Sequence, residues 1–347
     1  MANIYQVDTG QQMVTVVDDL TTQYRVLVSG RVLSAVFGLP LPQFSVTAVW
    51  PGLFVKTLPD GFFCLAGVEN LLFPVYPVTF DVAIAAPFHR PVIRSVTIAG
   101  SSDWPITLPD VTLQNNPVRL QGRVTLDDPD HTPVAGATVT IDDTAVLTLR
   151  TPLHFDHPAG TPIQPVTLTP SGVSKTLTAP AGQLSNTITL NNRTGLAPGD
   201  VLRLGAADRT EYAVIAAIVG NPAVAGDVVL TAVLQRSLPR AATAERITVG
   251  APGAAVNLLD DVLVGEGVLR LAGTMTAVAI QISDAAPARR EFHSLNALSD
   301  ARGYYRLDGL SRLAAITLRA ADGPNTDNQD WTVNYRQPVN AIDFRLD

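Results

Sequence analysis

The chain repeats itself, and its second copy is interrupted. Gly30-Arg31-Val32 is followed by Pro40 and then Val46-Thr47, and Gly122-Arg123-Val124 is followed by Pro133 and then Val139-Thr140. The first copy continues with Asp60-Gly61-Phe62-Phe63-Cys64-Leu65-Ala66-Gly67. Its counterpart is Ala301-Arg302-Gly303-Tyr304-Tyr305-Arg306-Leu307-Asp308-Gly309. That phrase arrives only after roughly 150 extra residues, far beyond an ordinary loop. A chain with this pattern holds two related small modules, the second of them split by a guest.

The modules read as β. Tyr24 to Val32 alternates with period two, as a half-buried strand does, and so do Phe44 to Trp50, Gly61 to Ala66, Val78 to Ile84 and Ile93 to Ile98. The 26 Pro and 25 Gly recur at short intervals, which suits the turns of a sandwich. Long amphipathic helical windows are absent, and the best short candidate lies around Asn70 to Leu72. Met13 to Val17 has strong β propensity, and an apolar terminal strand of this kind pairs with its own domain or adds to a neighbour's sheet. The first module closes at Leu108 to Leu113; the second opens at Pro117 and closes at Val339 to Leu346. In the guest, Asn186 to Leu190, Val201 to Gly205, Glu211 to Ile218 and Asp227 to Thr231 read as strands, with a turn at Pro198-Gly199. The spacing predicts a small barrel-like unit of four or five strands. Leu258 to Ala272 and Val278 to Ile282 are expected to add strands leading back to the host.

The expected fold is therefore all-β: tandem β-sandwich modules of immunoglobulin or transthyretin type, the second interrupted by an inserted small barrel-like domain. The organisation is an N-terminal arm or edge strand (1–25), module 1 (26–116), a split module 2 (117–143 plus 291–347) and an inserted β domain (144–290).

Charge narrows the partners. The net charge is -7 with no basic block, so nucleic acid and anionic membrane surfaces are poor partners. Charged residues make up only 16% of the chain, against the usual quarter, so much of its surface is expected to lie against other proteins. Every apolar run is short and broken by Pro, Gly or a charge, so none reads as a membrane span. The first twenty residues have no basic residue ahead of the apolar ones and carry Asp8, Asp18 and Asp19, unlike a secretory signal. The expectation is cytoplasmic synthesis and assembly into a particle that is either released or virion-like. The lone Cys64 sits in a strand phrase and reads as a buried, inert thiol.

Two resemblances follow from these phrases. Gly-Arg-Val, then Pro133 to Val139, then Gly303 to Leu310 resembles the carboxypeptidase regulatory-like, transthyretin-like β-sandwich; in module 1 the Leu39-Pro40-Leu41-Pro42 turn replaces the usual Gly-Ala. That resemblance implies a structural module contacting protein or carbohydrate, without peptidase activity. The guest phrases Gly195 to Leu204, Glu211 to Ile215 and Val228 to Thr231 resemble short β units of phage-tail-like proteins, including sheath and baseplate components of contractile injection systems. Together they imply a non-enzymatic structural subunit of such a particle. Its partners would be other subunits, with strand addition by the N-terminal arm as one means of contact. The alternative is a surface adhesin, or a module binding glycan or protein.

Candidate chemistry is sparse. His154-Phe155-Asp156-His157 places two imidazoles and a carboxylate together, but a metal needs further ligands, and nothing in the spacing selects His131 with Asp127, Asp128 and Asp130. Asp127-Asp128-Pro129-Asp130 and Asp322 to Asn328 lack the spacing of a calcium loop. There is no His-x-x-Glu phrase, no Gly-x-Ser-x-Gly elbow, no phosphate loop and no dinucleotide fingerprint. Trp50, Trp104 and Trp331 read as packing residues, with sugar stacking as the alternative. No residue is assigned a catalytic, cofactor-binding or metal-binding role, and no cofactor is expected.

Overall fold

The computed structural model describes residues 13–17, 20–50, 52–67, 75–100, 103, 105–205, 210–283 and 289–347. Asn70 to Leu72 and Trp104 lie outside the described residues. The chain divides between Asn116 and Pro117 into two units, and the described secondary structure is β throughout.

Unit 1 contains β1 (Met13–Val17), β2 (Leu20–Ser34), β3 (Ser45–Ala48), β4 (Phe54–Thr57), β5 (Phe62–Gly67), β6 (Val78–Ala85), β7 (Val92–Ile98), β8 (Ile106–Thr107) and β9 (Val111–Leu113). One sheet runs β1-β2-β5-β4, with β8 and β9 parallel to β2; the other runs β3-β6-β7. β1 folds back on β2 with Val17 opposite Leu20, so this part of the arm pairs with its own chain and continues into the strand expected to begin near Tyr24. Alternation supplies the core: Val78, Phe80, Val82 and Ile84 point inward from β6 and meet Leu27, Val32, Phe63 and Leu65 of the first sheet. A bulge between Val26 and Val28 lets neighbours Leu27 and Val28 both be buried.

Unit 2 opens with β10 (Val118–Leu126) and β11 (Thr138–Ile141). The chain then leaves through β12 (Val146–Thr148), β13 (Pro162–Pro165), β14 (Leu168–Thr176), β15 (Thr187–Leu190), β16 (Val201–Leu204), β17 (Glu211–Ile218), β18 (Gly226–Leu230), β19 (Thr243–Val249), β20 (Val256–Asn257), β21 (Val268–Arg270), β22 (Ala279–Ile282) and β23 (Glu291–Ser294). It returns with β24 (Ala297–Leu298), β25 (Tyr304–Leu310), β26 (Ala315–Asp322), β27 (Asn325–Thr332), β28 (Val339–Ala341) and β29 (Phe344–Leu346). Strands from both sides of the excursion pair directly. β10 lies between β25 and the parallel strands β28 and β29, and β11 lies between β24 and β26, with β27 outermost.

The repeat has a stereochemical cause. Gly61 (φ 84°) and Gly303 (φ 79°) occupy the left-handed region, and a Cβ on either would sit 2.6 Å from Val32 O or 2.4 Å from Val124 O. Each backbone closes the same hydrogen bond, Val32 N–H to Gly61 O and Val124 N–H to Gly303 O, both 2.8 Å. Pro40 bridges Leu33 in one module, as Pro133 bridges Thr125 in the other. The closing segments also match: Leu108 N–H donates to Ser29 O at 2.8 Å and Ile342 N–H to Gln121 O at 2.9 Å.

Inside the excursion the chain makes a second one. β12, β13 and β20–β23 form two short sheets around Leu149, Leu153, Ile163, Leu269, Ile280 and Ile282. Between β13 and β20 the chain departs again to build a six-stranded sheet, β14-β19-β16-β17-β18-β15. Its end strands meet, because Leu177 bridges Leu190 and Thr178 N–H donates to Thr189 O at 2.9 Å, so the sheet curls around Leu190, Leu202, Leu204, Ile215 and Val228. It has more strands than the sequence suggests. β14 carries Pro170, Gly172 and a register break between Pro170 and Ser174, features that conceal a strand in sequence. Val166, Val201, Tyr212, Ile247, Ala279 and Phe292 join this sheet to the layer beneath it.

Candidate functional site

The most chemically distinctive place in unit 2 lies where these two layers meet. Five ionisable side chains are buried there: His154, His157, Glu211, Glu291 and His293. His154 and His157 come from the segment after β12. That segment is fixed by Leu153 N–H on Glu266 O, by paired bonds between His157 and Val262, and by the Thr151 hydroxyl on Thr210 O. Glu291 and His293 are two apart on β23, so the strand's alternation presents both on one face. Glu211 opens β17 of the curled sheet.

Glu291 is the hub. Its Oε2 accepts from His154 N–H (2.8 Å) and lies 3.0 Å from His154 Nδ1 and 2.9 Å from His293 Nε2; its Oε1 lies 2.5 Å from His157 Nε2. The far nitrogen of His154, Nε2, lies 2.9 Å from Glu211 Oε1. Glu211 also accepts backbone N–H bonds from Gln235 (2.7 Å) and Arg236 (3.2 Å). The rings of His154 and His293 stack with centroids 5.6 Å apart.

Burial alone would strip the proton from His154, but the hydrogen bonds and charges of Glu211 and Glu291 outweigh it and raise its pKa to about 9. Burial would likewise raise the Glu291 carboxyl. The electrostatic influence of His293 and the hydrogen bonds from the three histidines hold it well below the ordinary carboxylate range instead. His154 is thus held as an imidazolium between the two glutamates. A cavity of about 10 Å³ touches His154 and Glu291, with Tyr212 and Arg290 also in its wall. That is room for about one water and not for a substrate.

Sequence reasoning placed His154 and His157 together, and Glu291 joins them. Asp156 is exposed and accepts from Val264 N–H. His131, Asp127, Asp128 and Asp130 stay outside the cluster, in the turn after β10, where Asp128 accepts from the Thr132 N–H and hydroxyl. Glu211, Glu291 and His293 were missed. The available signal was Glu-x-His in an apolar strand, a spacing that serves a strand face as His-x-x-Glu serves a helix. Of the tryptophans, Trp50 packs on Phe80, and Trp331 Nε1–H reaches Asn340 Oδ1 at 3.4 Å.

No known family profile matches the chain, and no curated protein is similar to it. Two solved structures align loosely. The major pilin subunit of Bacillus cereus is 8% identical over 92% of this chain and 98% of that one, with a TM-score of 0.23. The Bacillus anthracis TIE protein is 9% identical over 96% of this chain and 57% of that one, with a TM-score of 0.22. Overlaps this loose carry no argument about function. The class rests on the strands themselves: an all-β protein of tandem sandwich modules.

Proposed function

We propose that the chain is a non-enzymatic structural subunit of a phage-tail-like contractile particle, acting through protein–protein contacts of its β modules. The observation that carries this reading is the edge of the first sheet of unit 1. β4 ends that sheet, and all four of its residues are exposed. Phe54 is 55% exposed and Val55 42%, with Leu58 and Phe62 exposed beside them. Tyr24 packs edge-on against Phe54 at 5.0 Å, which widens the apolar surface. A terminal strand with an apolar face is a template for another strand, and Lys56 is the only charge on it. The low charge of the chain and the resemblance of its guest phrases to tail-like β units support the same reading. The test is deletion of the gene in the producing cell, followed by negative-stain imaging and composition analysis of its particles. Absent or incomplete particles are expected, and particles of normal form and composition refute the reading. A Phe54→Lys, Val55→Lys variant that folds should fail to restore them.

A second reading, an adhesin or glycan-binding module, is favoured by one feature of unit 2. An open groove of about 640 Å³ is lined by Gln121, Gln235, Asp300, Tyr304, Arg306 and Asp343, among others. Tyr304 is 54% exposed there, with the Arg123 guanidinium 5.7 Å from its ring centroid. An aromatic face among forked polar groups suits a sugar ring. Glycan-array binding lost on Tyr304→Ala would favour this reading over the first.

A further inference from the structure

The buried cluster plays no part in either reading, and its composition is not that of ordinary packing. His154, Glu291 and His293 each bring one ligand-type atom to within 4.8 Å of the others, and all three are buried. Glu211 and Glu291 bring two carboxyl groups into a place almost without water, where unpaired charge is costly. A divalent cation beside Glu291 would supply compensating charge there.

The surroundings are those of a supported ligand set. A ligating imidazole characteristically donates its other ring N–H to a carboxylate, which fixes its tautomer and orientation. Glu211 Oε1 stands 2.9 Å from His154 Nε2, which leaves the Nδ1 lone pair facing Glu291. His157 Nε2–H donates to Glu291 Oε1 and holds that carboxylate with Oε2 turned toward His154 and His293. The single-water cavity against His154 and Glu291 supplies room for a further ligand. His293 Nδ1 and His157 Nδ1 are both buried without a hydrogen-bond partner, so His293 lacks the second support that His154 has.

We propose that His154 Nδ1, His293 Nε2 and Glu291 Oε2 form a binding site for a zinc-class divalent ion, with Glu211 and His157 as positioning residues. Two imidazole nitrogens and one carboxylate suit Zn²⁺ and its first-row neighbours; calcium and magnesium demand more oxygen ligands. The absence of room for a substrate makes the role structural. The ion would tie the segment after β12 to β23 and, through Glu211, to the curled sheet. This holds whether or not the chain belongs to a particle.

The experiment uses the full-length, tag-free protein, stripped with a chelator and reloaded with Zn²⁺ or Co²⁺. One zinc per chain should survive gel filtration. The melting temperature of unit 2 should rise by about 5–10 °C at a hundredfold excess over Kd. The double variant His154→Ala, His293→Ala should lose the metal, and Glu211→Gln should weaken it about 10–100-fold. His131→Ala, outside the cluster, should leave it unchanged. Sub-stoichiometric zinc in the wild-type chain, or full retention in the double variant, overturns the proposal. Should the variants fail to fold, the Co²⁺ spectrum of the wild-type chain decides. Intense visible bands of a low-coordinate site with nitrogen ligands support the proposal, and the spectrum of the hydrated ion overturns it.

Discussion

Gly122→Ala should be among the most damaging single-methyl additions to unit 2, and the reason is spatial. A Cβ at 122 would stand 1.7 Å from Ile342 O and 2.5 Å from its carbonyl carbon, where ordinary contact begins at 3.4 Å. Both atoms are backbone, so no side chain can rotate away. β10 and the closing segment would have to part. That breaks the bond from Ile342 N–H to Gln121 O (2.9 Å) and the bond from Tyr305 O–H to Ile342 O (2.8 Å). Two hydrogen bonds cost about 1 kcal/mol each, and a forced backbone shift roughly 1–3 kcal/mol more. Complete release of the segment would add the exposure of Ile342, Phe344 and Leu346, now 3%, 0% and 0% exposed, at roughly 1.5–3 kcal/mol each. The expected loss is about 3–5 kcal/mol for a shifted strand, or about 6–20 °C in the Tm of unit 2. Urea unfolding and calorimetry would measure it. Two controls isolate the cause. At the equivalent Gly30, the Cβ would meet the Phe63 ring at 2.8 Å, and a ring can tilt, so about 1–2 kcal/mol is expected. Gly136 has open space and φ 79°, so only the conformational cost of about 1–2 kcal/mol applies. A Gly122→Ala protein within about 1 kcal/mol of wild type would refute the reasoning.

Other consequences are as definite. Arg193, 2% exposed, donates from its guanidinium to the carbonyls of Val219, Asn221, Val224 and Asp227, so Arg193→Ala should cost about 3–5 kcal/mol and open the 219–227 loop to proteolysis; an unchanged cleavage pattern would count against this. Glu291→Ala removes the acceptor of four buried N–H groups and should cost about 3–5 kcal/mol in urea unfolding; a loss below about 1 kcal/mol would show that the cluster contributes little to stability. Burial raises the Cys64 thiol, with Lys56 opposing weakly, so iodoacetamide at neutral pH should modify it more slowly than a free thiol; equal rates would contradict its placement.

The repeat was legible because its residues are stereochemically compelled. Gly61 and Gly303 hold left-handed φ against a carbonyl, Gly30 and Gly122 lie under the closing segment, and Pro40 and Pro133 bridge the same strand position. Constraints of this kind act within a few residues and leave letters in the sequence. The edge strands of the curled sheet were harder to see. β14 buries little, and its Pro170 and Gly172 are the residues that ordinarily mark a loop. The cluster was half visible. His154 and His157 stand together in sequence, but Glu211 lies 57 residues from His154 and Glu291 lies 137 away, so the layering of the fold alone brings them together. A buried Glu at the head of an apolar strand was the available clue, and alternation gives no sign of which partner will neutralise it.

The nesting of the second unit also sets an order of events on the ribosome. β10 cannot meet β25 until Tyr304 has emerged, and its parallel partners β28 and β29 come last. At 5–20 residues per second, the first strands of the host wait roughly 10–40 s for their neighbours. The innermost sheet, 168–249, has all its partners within about eighty residues and pays the smallest loop-closure cost, so it is positioned to fold first. On that order assembly would proceed outward: the curled sheet, the layer holding His154 and Glu291, and finally the host. Throughout the wait β10 and β11 lack their sheet partners from the returning segment, and a curled inner sheet that pairs Leu168 with Val249 shortens the effective loop they must span. The insertion that lengthens the chain thus also draws the severed halves of its host toward one another.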